Sequence, residues 1–205
     1  MSKVLIVDDE QSIRYVLREI LEDEKYQVAD AANGHEAFEI LQKEAFDVVL
    51  SDVKMPKMDG NELLSKVRSS KIENLKDLPI IFLTSKDHEQ DEIIGLRMGA
   101  SDYIKKPFSQ KLLIERIRAV LRRSSLSTST DPEKIIQRGD LMLDIDRHIS
   151  TWKNVDVRLT VTEFLILQSL VSRPGLVKSR DQLMDVAYGE TIYVDDRTID
   201  SHIKR

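Results

Sequence analysis

Apolar and polar residues form a repeating pattern through the first 122 residues, in which each short apolar run is followed by a stretch with helical spacing. The apolar runs lie at Lys3–Val7, Tyr26–Ala29, Val48–Leu50, Pro79–Leu83 and Tyr103–Ile104. The helical stretches lie at Ile13–Leu21, His35–Lys43, Leu63–Val67, Ile93–Met98 and Leu112–Leu121. Five strands alternating with five helices predict an α/β fold, a doubly wound sheet of five parallel strands.

The pattern stops in residues 124–132, whose sequence is Ser-Ser-Leu-Ser-Thr-Ser-Thr-Asp-Pro. This stretch has no periodicity and contains one large apolar residue, which is typical of a flexible linker. We therefore predict a first domain at residues 1–122, a linker at residues 123–133 and a second domain at residues 134–205.

The second domain has a different pattern, which predicts a smaller α+β fold. Segments of β type, Ile135–Leu143 and His148–Leu159, are broken by polar turn residues and favour a small antiparallel sheet. Thr162 is predicted to cap a first helix and Ser179 a second, and a third begins at Asp195 or Asp196.

Composition and charge exclude several classes of protein. The 205 residues include no cysteine, so the chain has no disulfide, thiolate metal site or thiol nucleophile. No apolar run approaches the roughly 20 residues that span a bilayer, and the N-terminus lacks the pattern of a signal peptide. We expect a soluble cytoplasmic protein with no membrane partner. The net charge is −5, with −3 in residues 1–123 and −2 in residues 124–205, so any DNA binding must use a local basic face.

Carboxylates follow two of the predicted strands. Asp52 follows the third strand, and Asp8 and Asp9 follow the first, so the three meet at one edge if these strands are neighbours. Like charges at about 4 Å repel by roughly 1 kcal/mol in water. Mg²⁺ or Mn²⁺ would offset this repulsion, since the ligands are all oxygens. Alternatively, Asp8 and Asp9 cap the next helix, and this pair alone does not decide between the two interpretations.

Two further strand ends favour a functional site. Thr84 follows the fourth strand, and Lys105 and Lys106 follow the fifth. A hydroxyl and an ammonium that face carboxylates and a metal are what the oxygens of a phosphoryl group need. We therefore interpret Asp52 as a phosphate acceptor.

These motifs resemble those of OmpR/PhoB-family two-component response regulators, which join a receiver domain to a winged-helix output domain. The matching segments in the first domain are Val-Asp-Asp-Glu at 7–10, Ser-Asp-Val-Lys-Met-Pro at 51–56, Asp-Gly at 59–60, Leu-Thr-Ser at 83–85 and Asp-Tyr-Ile-Lys-Lys-Pro-Phe at 102–108. In the second domain they are Leu-Thr-Val-Thr-Glu-Phe at 159–164, Arg-Pro-Gly at 173–175 and Asp-Arg-Thr-Ile-Asp-Ser-His-Ile-Lys-Arg at 196–205. Within the family the chain is most similar to ChvI-type regulators.

The resemblance implies a role for each matching residue in the first domain. Asp52 would be the phosphoacceptor and a metal ligand, Asp9 a direct Mg²⁺ ligand, and Asp8 a ligand through water. The backbone carbonyl of Lys54 would complete the protein ligands, and Lys106 would pair with the phosphoryl group. Thr84 and Tyr103 resemble the switch pair of the family. By this resemblance the protein is a switch that catalyses only its own phosphoryl transfer and dephosphorylation.

The resemblance also implies partners. These are a sensor histidine kinase, promoter DNA, RNA polymerase and a second copy of the chain, with Asp102 and Arg116 in the dimer interface. The implied DNA contacts lie in the last helix and are Arg197, Thr198, Ser201, His202, Lys204 and Arg205. Ile199 and Ile203 occupy another face of this helix, suited to packing against Phe164 and its apolar helix.

Two other functions fit part of the sequence. A haloacid-dehalogenase-like phosphohydrolase also uses an Asp nucleophile, but it carries a second Asp two positions later, where this chain has Lys54. The other alternative is a phosphorylation-dependent protein-interaction switch that does not bind DNA.

Relatives continue the last helix with basic residues and a β-hairpin wing, whereas the sequence stops at Arg205. We therefore expect residues 1–205 to bind DNA weakly and in a salt-sensitive manner, because few phosphate contacts remain. Fluorescence anisotropy of a promoter fragment at increasing salt measures this affinity, and a tight, sequence-specific footprint would contradict the expectation.

Overall fold

A computed structural model describes residues 1–84, 99–124, 134–188 and 197–204. Contacts between residues divide the chain into two compact units, residues 1–110 and 111–205. The predicted boundaries at residues 122 and 133 stay predictions. In the described ranges, no helix combines the length and apolar character needed to cross a membrane.

The first unit contains five parallel strands, as the sequence predicted. They are β1 Lys3–Val7, β2 Gln27–Ala31, β3 Val48–Asp52, β4 Ile80–Thr84 and β5 Asp102–Lys105, and they lie in the order β2-β1-β3-β4-β5. The central strands are buried on both faces, which explains why their sequences are continuous apolar runs rather than alternating ones.

Helices connect these strands. They are α1 Gln11–Asp23, α2 Gly34–Leu41, α3 Gly60–Arg68 and α4 Glu73–Lys76. The single-turn α4 was not predicted, and the predicted helix at Ile93–Met98 lies outside the described residues. After β5, α5 spans Gln110–Ser124 and enters the second unit.

The strand order brings the polar strand ends together. β1 pairs with β3 in parallel, so that Val7 is opposite Ser51 and the residues that follow both strands emerge at the same edge. Asp52 is opposite Leu83, and Thr84 is opposite Lys105. The chain reverses its winding direction next to β1, the position where open α/β sheets bind their ligands.

Among its described residues, the second unit contains most of α5, a four-stranded antiparallel sheet and three further helices, in agreement with the predicted α+β fold. The strands are β6 Ile135–Arg138, β7 Leu141–Asp144, β8 Ile149–Trp152 and β9 Val155–Val157. The helices are α6 Val161–Ser172, α7 Arg180–Tyr188 and α8 Arg197–Lys204.

The helix caps of this unit match the sequence in one case and differ in another. Ser179 Oγ accepts from the backbone N–H of Gln182, as expected for a cap. Thr160, not Thr162, caps α6, because its side chain accepts from Glu163 N while the Glu163 carboxylate accepts from Thr160 N. The prediction of Thr162 as the cap was wrong by half a turn.

The apolar face of α8 also matches only in part. Ile199 is buried in a cluster with residues of α6 and α7, as predicted. The side chain of Ile203, one turn later, is 55% exposed, so its predicted packing is wrong. The first turn of α8 thus contributes Ile199 to this core, whereas Ile203 stays outside it.

Gly60 allows α3 to begin directly beside the end of β3. A Cβ at this position would lie 2.4 Å from Asp52 O and 2.7 Å from Phe82 Cε1. Such distances are too short for any side chain, and one of the two neighbours belongs to the rigid backbone of the phosphoacceptor candidate. Glycine is therefore required by space at this point.

We predict that Gly60→Ala lowers the free energy of unfolding by about 1–3 kcal/mol, the usual cost of overpacking. Urea unfolding followed by circular dichroism measures the change. Ser65→Ala, at an exposed site on the same helix, serves as the control and should stay within about 0.5 kcal/mol of the parent chain. Equal stability of the two variants would contradict the steric argument.

Candidate functional site

Asp52 ends β3 at the edge of the sheet, where its side chain is 17% exposed. The backbone N–H of Lys54 donates to Asp52 Oδ1 at 3.3 Å, and Gly60 N donates to Val53 O at 2.9 Å. These bonds hold the loop after β3 close to the strand, so that one face of the carboxylate stays open to the mouth of the site.

Asp8 and Asp9 follow β1 at the same edge. Asp8 is completely buried, and its Oδ1 accepts from Glu10 N at 3.0 Å, while Asp9 is exposed. One carboxylate oxygen of each of Asp8, Asp9 and Asp52 lies within 4.8 Å of the others. The structure thus brings together the three carboxylates that the sequence predicted as one cluster.

Lys106 lies between two of these carboxylates. Its Nζ is 2.6 Å from Asp52 Oδ2 and 2.9 Å from Asp8 Oδ2. The Lys106 N–H donates to Thr84 O at 2.7 Å, and the peptide bond to Pro107 is cis. The sequence-based choice of Lys106 rather than Lys105 agrees with this geometry.

Burial and charge act in opposite directions on these groups. Burial raises the pKa of Asp8, although Lys106 and the Glu10 N–H favour its charged form. Burial alone would lower the pKa of Lys106, but its hydrogen bonds and attraction to Asp52 and Asp8 outweigh this effect and raise it. Lys106 therefore carries its positive charge at neutral pH and interacts with both carboxylates.

The donor set fits a hard divalent cation. Three carboxylates and one ammonium leave a formal charge of −3 + 1 = −2 at the site. All the candidate ligand atoms are oxygens, which suit Mg²⁺ or Mn²⁺ better than zinc. The roles of Asp8, Asp9, Asp52 and the Lys54 carbonyl as ligands stay predictions.

The alternative role of these carboxylates as helix caps is not observed. Glu10 occupies the N-cap of α1, and its side chain makes no cap bond. Asp8 bonds to the backbone of Glu10 and shapes the turn before the helix, and Asp9 lies outside α1.

The predicted switch pair lies on neighbouring strands. Thr84 ends β4 and is 2% exposed, and its carbonyl receives the Lys106 N–H. Tyr103 in β5 is 3% exposed, with its ring centroid 5.1 Å from that of Phe82. The Tyr103 ring therefore packs inside the first unit.

The two predicted dimer residues are both buried. Asp102 in β5 is 1% exposed. Arg116 in α5 is 2% exposed and belongs to the second unit, where it donates to Thr162 Oγ1 at 2.8 Å and to the carbonyl of Ala187. Their role in a dimer stays a prediction.

The predicted DNA contacts lie on or next to α8. The helix contains Arg197, Thr198, Ser201 and Lys204, whose side chains are outside the described part of the structure, as is the whole of Arg205. The His202 Nε2 is 2.8 Å from the Tyr188 hydroxyl oxygen, so this ring nitrogen is bonded to α7. All six DNA contacts stay predictions.

Sequence reasoning missed Arg14, which bonds to the turn that carries Asp8 and Asp9. An arginine one turn into a helix that follows two acidic residues was the available signal. This spacing places Arg14 within reach of the acidic turn, but it does not give the direction of the side chain.

Comparisons with known proteins agree with this architecture. A family model described as "Response regulator receiver domain" matches residues 4–118, and one described as "Transcriptional regulatory protein, C terminal" matches residues 154–205. The transcriptional regulatory protein SrrA of Staphylococcus aureus is 36% identical over 208 residues, which cover all of this chain and 84% of that protein.

Solved structures resemble the receiver portion. One is the signal receiver domain of a histidine kinase from Syntrophus aciditrophicus, with 30% identity, a TM-score of 0.58 and coverage of 68% of this chain and 99% of that one. Another is the chemotaxis response regulator CheY4 of Vibrio cholerae, with 38% identity, a TM-score of 0.54 and coverage of 58% and 98%.

The fold and the site define a receiver domain followed by a DNA-binding regulatory domain. This chain belongs to the two-component response regulators of the OmpR/PhoB type, which are transcription factors. Membership implies a histidine kinase and DNA as partners.

We predict that Lys106→Met destabilises the metal-free protein by about 1–3 kcal/mol, because two carboxylates lose their shared cation. The variant should gain more stability from Mg²⁺ than the parent chain, since a divalent ion would then be the main charge that offsets the cluster. Thermal unfolding without Mg²⁺ and with about 10 mM Mg²⁺, a concentration that saturates weak sites, measures both effects. Lys105→Met is the control, and an equal Mg²⁺ response in all three proteins would contradict the prediction.

Proposed function

We propose that Asp52 accepts a phosphoryl group from a histidine kinase in a reaction that depends on Mg²⁺. The observation that carries the proposal is the position of Lys106 Nζ, 2.6 Å from Asp52 and 2.9 Å from Asp8. A cation at this point can stabilise the negative charge of the carboxylate before the reaction and of the phosphoryl oxygens during and after it.

The residues of the site would divide the reaction among them. A carboxylate oxygen of Asp52 attacks phosphorus while the bond from phosphorus to the kinase histidine nitrogen breaks, and an acyl phosphate forms. Lys106 turns from the Asp52 carboxylate to an oxygen of the new phosphoryl group. When bound by Asp8, Asp9, Asp52 and the Lys54 carbonyl, Mg²⁺ would neutralise charge on these oxygens. The protein would have no other enzymatic activity than this transfer and the hydrolysis of its own acyl phosphate, which restores the Asp52 carboxylate and releases inorganic phosphate.

The signal would pass from the site through the switch pair. The Thr84 hydroxyl would bond to a phosphoryl oxygen, and Tyr103 would adjust its packing beside Phe82. A dimer that includes Asp102 and Arg116 would follow, and α8 would then contact promoter DNA through Ser201 and neighbouring residues. RNA polymerase would be the further partner, and the cytoplasm the place of action. The ChvI-type subgroup belongs to this proposal as well.

Substitution of the acceptor tests the reaction. Asp52→Asn should keep the fold, because asparagine has the same shape and can still accept from Lys54 N. It should take no phosphoryl label from acetyl phosphate with Mg²⁺, whereas the parent chain should be labelled toward one phosphoryl group per chain. Labelling is measured by mass spectrometry of the intact protein, and circular dichroism confirms the fold.

The control is Asp23→Asn, which removes an exposed carboxylate at the end of α1, far along the helix from the acidic turn. This variant should be labelled like the parent chain. Stoichiometric labelling of Asp52→Asn, or no labelling of the parent chain, would refute the proposed function.

A further inference from the structure

Arg14 lies one turn into α1, and its side chain points back at the turn that carries Asp8 and Asp9. Its Nη1 donates to Asp8 O at 2.7 Å and to Asp9 O at 3.1 Å. Its Nε donates to Asp30 Oδ2 at 3.0 Å, and Asp30 lies in β2. The guanidinium therefore ties the acidic turn to the neighbouring strand.

More hydrogen bonds hold Asp8 than hold Asp9 in this turn. Asp8 is held by its N–H, which donates to Ala31 O at 3.2 Å, and by its side chain, which accepts from Glu10 N. For Asp9, the bond from Arg14 is the one hydrogen bond found within the described ranges. Asp9 is exposed, so its side-chain direction depends on the orientation of its peptide more than on packing.

Charge alone would give Arg14 the opposite effect. A guanidinium close to a cation site repels the incoming ion, so removal of the charge would strengthen metal binding. In this structure, however, Asp30 accepts hydrogen bonds from both Arg14 and Arg18. Arg18 pairs in addition with Glu22 at 3.3 Å, so two carboxylates offset the two guanidiniums. The charge of Arg14 is thus balanced within this group, and its geometric effect on the turn is the larger one.

We propose that Arg14 is a positioning residue that orients the acidic turn so that Asp8 and Asp9 can bind a divalent cation. This inference rests on the proposed function, in which these two residues are ligands. Groups that orient metal ligands typically contribute about 10- to 100-fold to metal affinity. Arginine suits the task because its planar fork reaches two carbonyls and a carboxylate at once.

The chain offers a matched control in Arg18. Arg18 also donates to Asp30, to Glu22 Oε1 at 3.3 Å and to Val28 O at 3.1 Å, and these three acceptors lie outside the acidic turn. Arg14→Met and Arg18→Met each remove one arginine from the same carboxylate. Binding of Mn²⁺ to the full chain is measured by electron paramagnetic resonance, and urea unfolding of the metal-free proteins gives their stability.

We expect Arg14→Met to weaken Mn²⁺ binding by about tenfold. Arg18→Met should remain within about twofold of the parent chain. Arg14→Lys separates geometry from charge, since it keeps the positive charge but cannot span the three acceptors, and we expect it to bind Mn²⁺ as weakly as Arg14→Met. It also provides a second variant if Arg14→Met does not fold.

Three results with the variants would overturn the inference. They are unchanged or tighter Mn²⁺ binding by Arg14→Met, parent-like affinity of Arg14→Lys, and an equal loss in Arg18→Met. A parent chain that binds Mn²⁺ but takes no phosphoryl label would refute the proposed function alone, and the Arg14 comparison would still decide the inference. A parent chain that binds no Mn²⁺ would overturn both.

Discussion

The ammonium of Lys106, bonded to Asp8 and Asp52, is the interaction on which the site depends. Three carboxylates lie within 4.8 Å of one another, and each pair at about 4 Å repels by roughly 4 kcal/mol at an effective dielectric of 20. No packing of apolar side chains removes that repulsion. A cation offsets it while the carboxylates stay charged, and the parallel sheet places one here because β1, β3 and β5 all end at the same edge. The strand order is therefore as much an electrostatic requirement as a packing one.

The negative charge of the carboxylate cluster is only partly neutralised, which favours the binding of a further cation at this edge of the sheet. One ammonium offsets one of three negative charges, so the cluster retains a formal charge of −2 that is partly buried. A buried and incompletely paired charge costs far more than a surface one. Asp8 is fully buried and therefore contributes much of this cost. Hydrogen bonds from its turn to β2 and α1 hold it in place. A site that is costly when empty is one that gains most from a bound cation.

The features that follow from periodicity and from the residues at strand ends could be predicted from the sequence. The contacts that depend on the direction of long side chains could not. The five parallel strands and the meeting of Asp8 with Asp52 followed from apolar runs and the residues after them. The bonds of Arg14 to two carbonyls could not be predicted, because a pattern does not give the direction of a long side chain. Thr160 and Thr162 are both capping residues, and only backbone dihedrals decide which one caps α6. Ile203 has the spacing of a core residue but lies beyond the packed turn.

Arg116 illustrates the limit of assigning an interface from charge. Its predicted partner surface was a second copy of the chain, yet its guanidinium donates to Thr162 and to the Ala187 carbonyl and is 2% exposed. In this arrangement the guanidinium is buried within the second unit, so a salt bridge across a dimer would require it to leave these bonds. Release would leave buried acceptors unsatisfied, at about 1–3 kcal/mol for each group. Any dimer that uses Arg116 must therefore recover this energy from its own contacts. The bonds of Arg116 in α5 and the formation of such a dimer would then be coupled through one side chain.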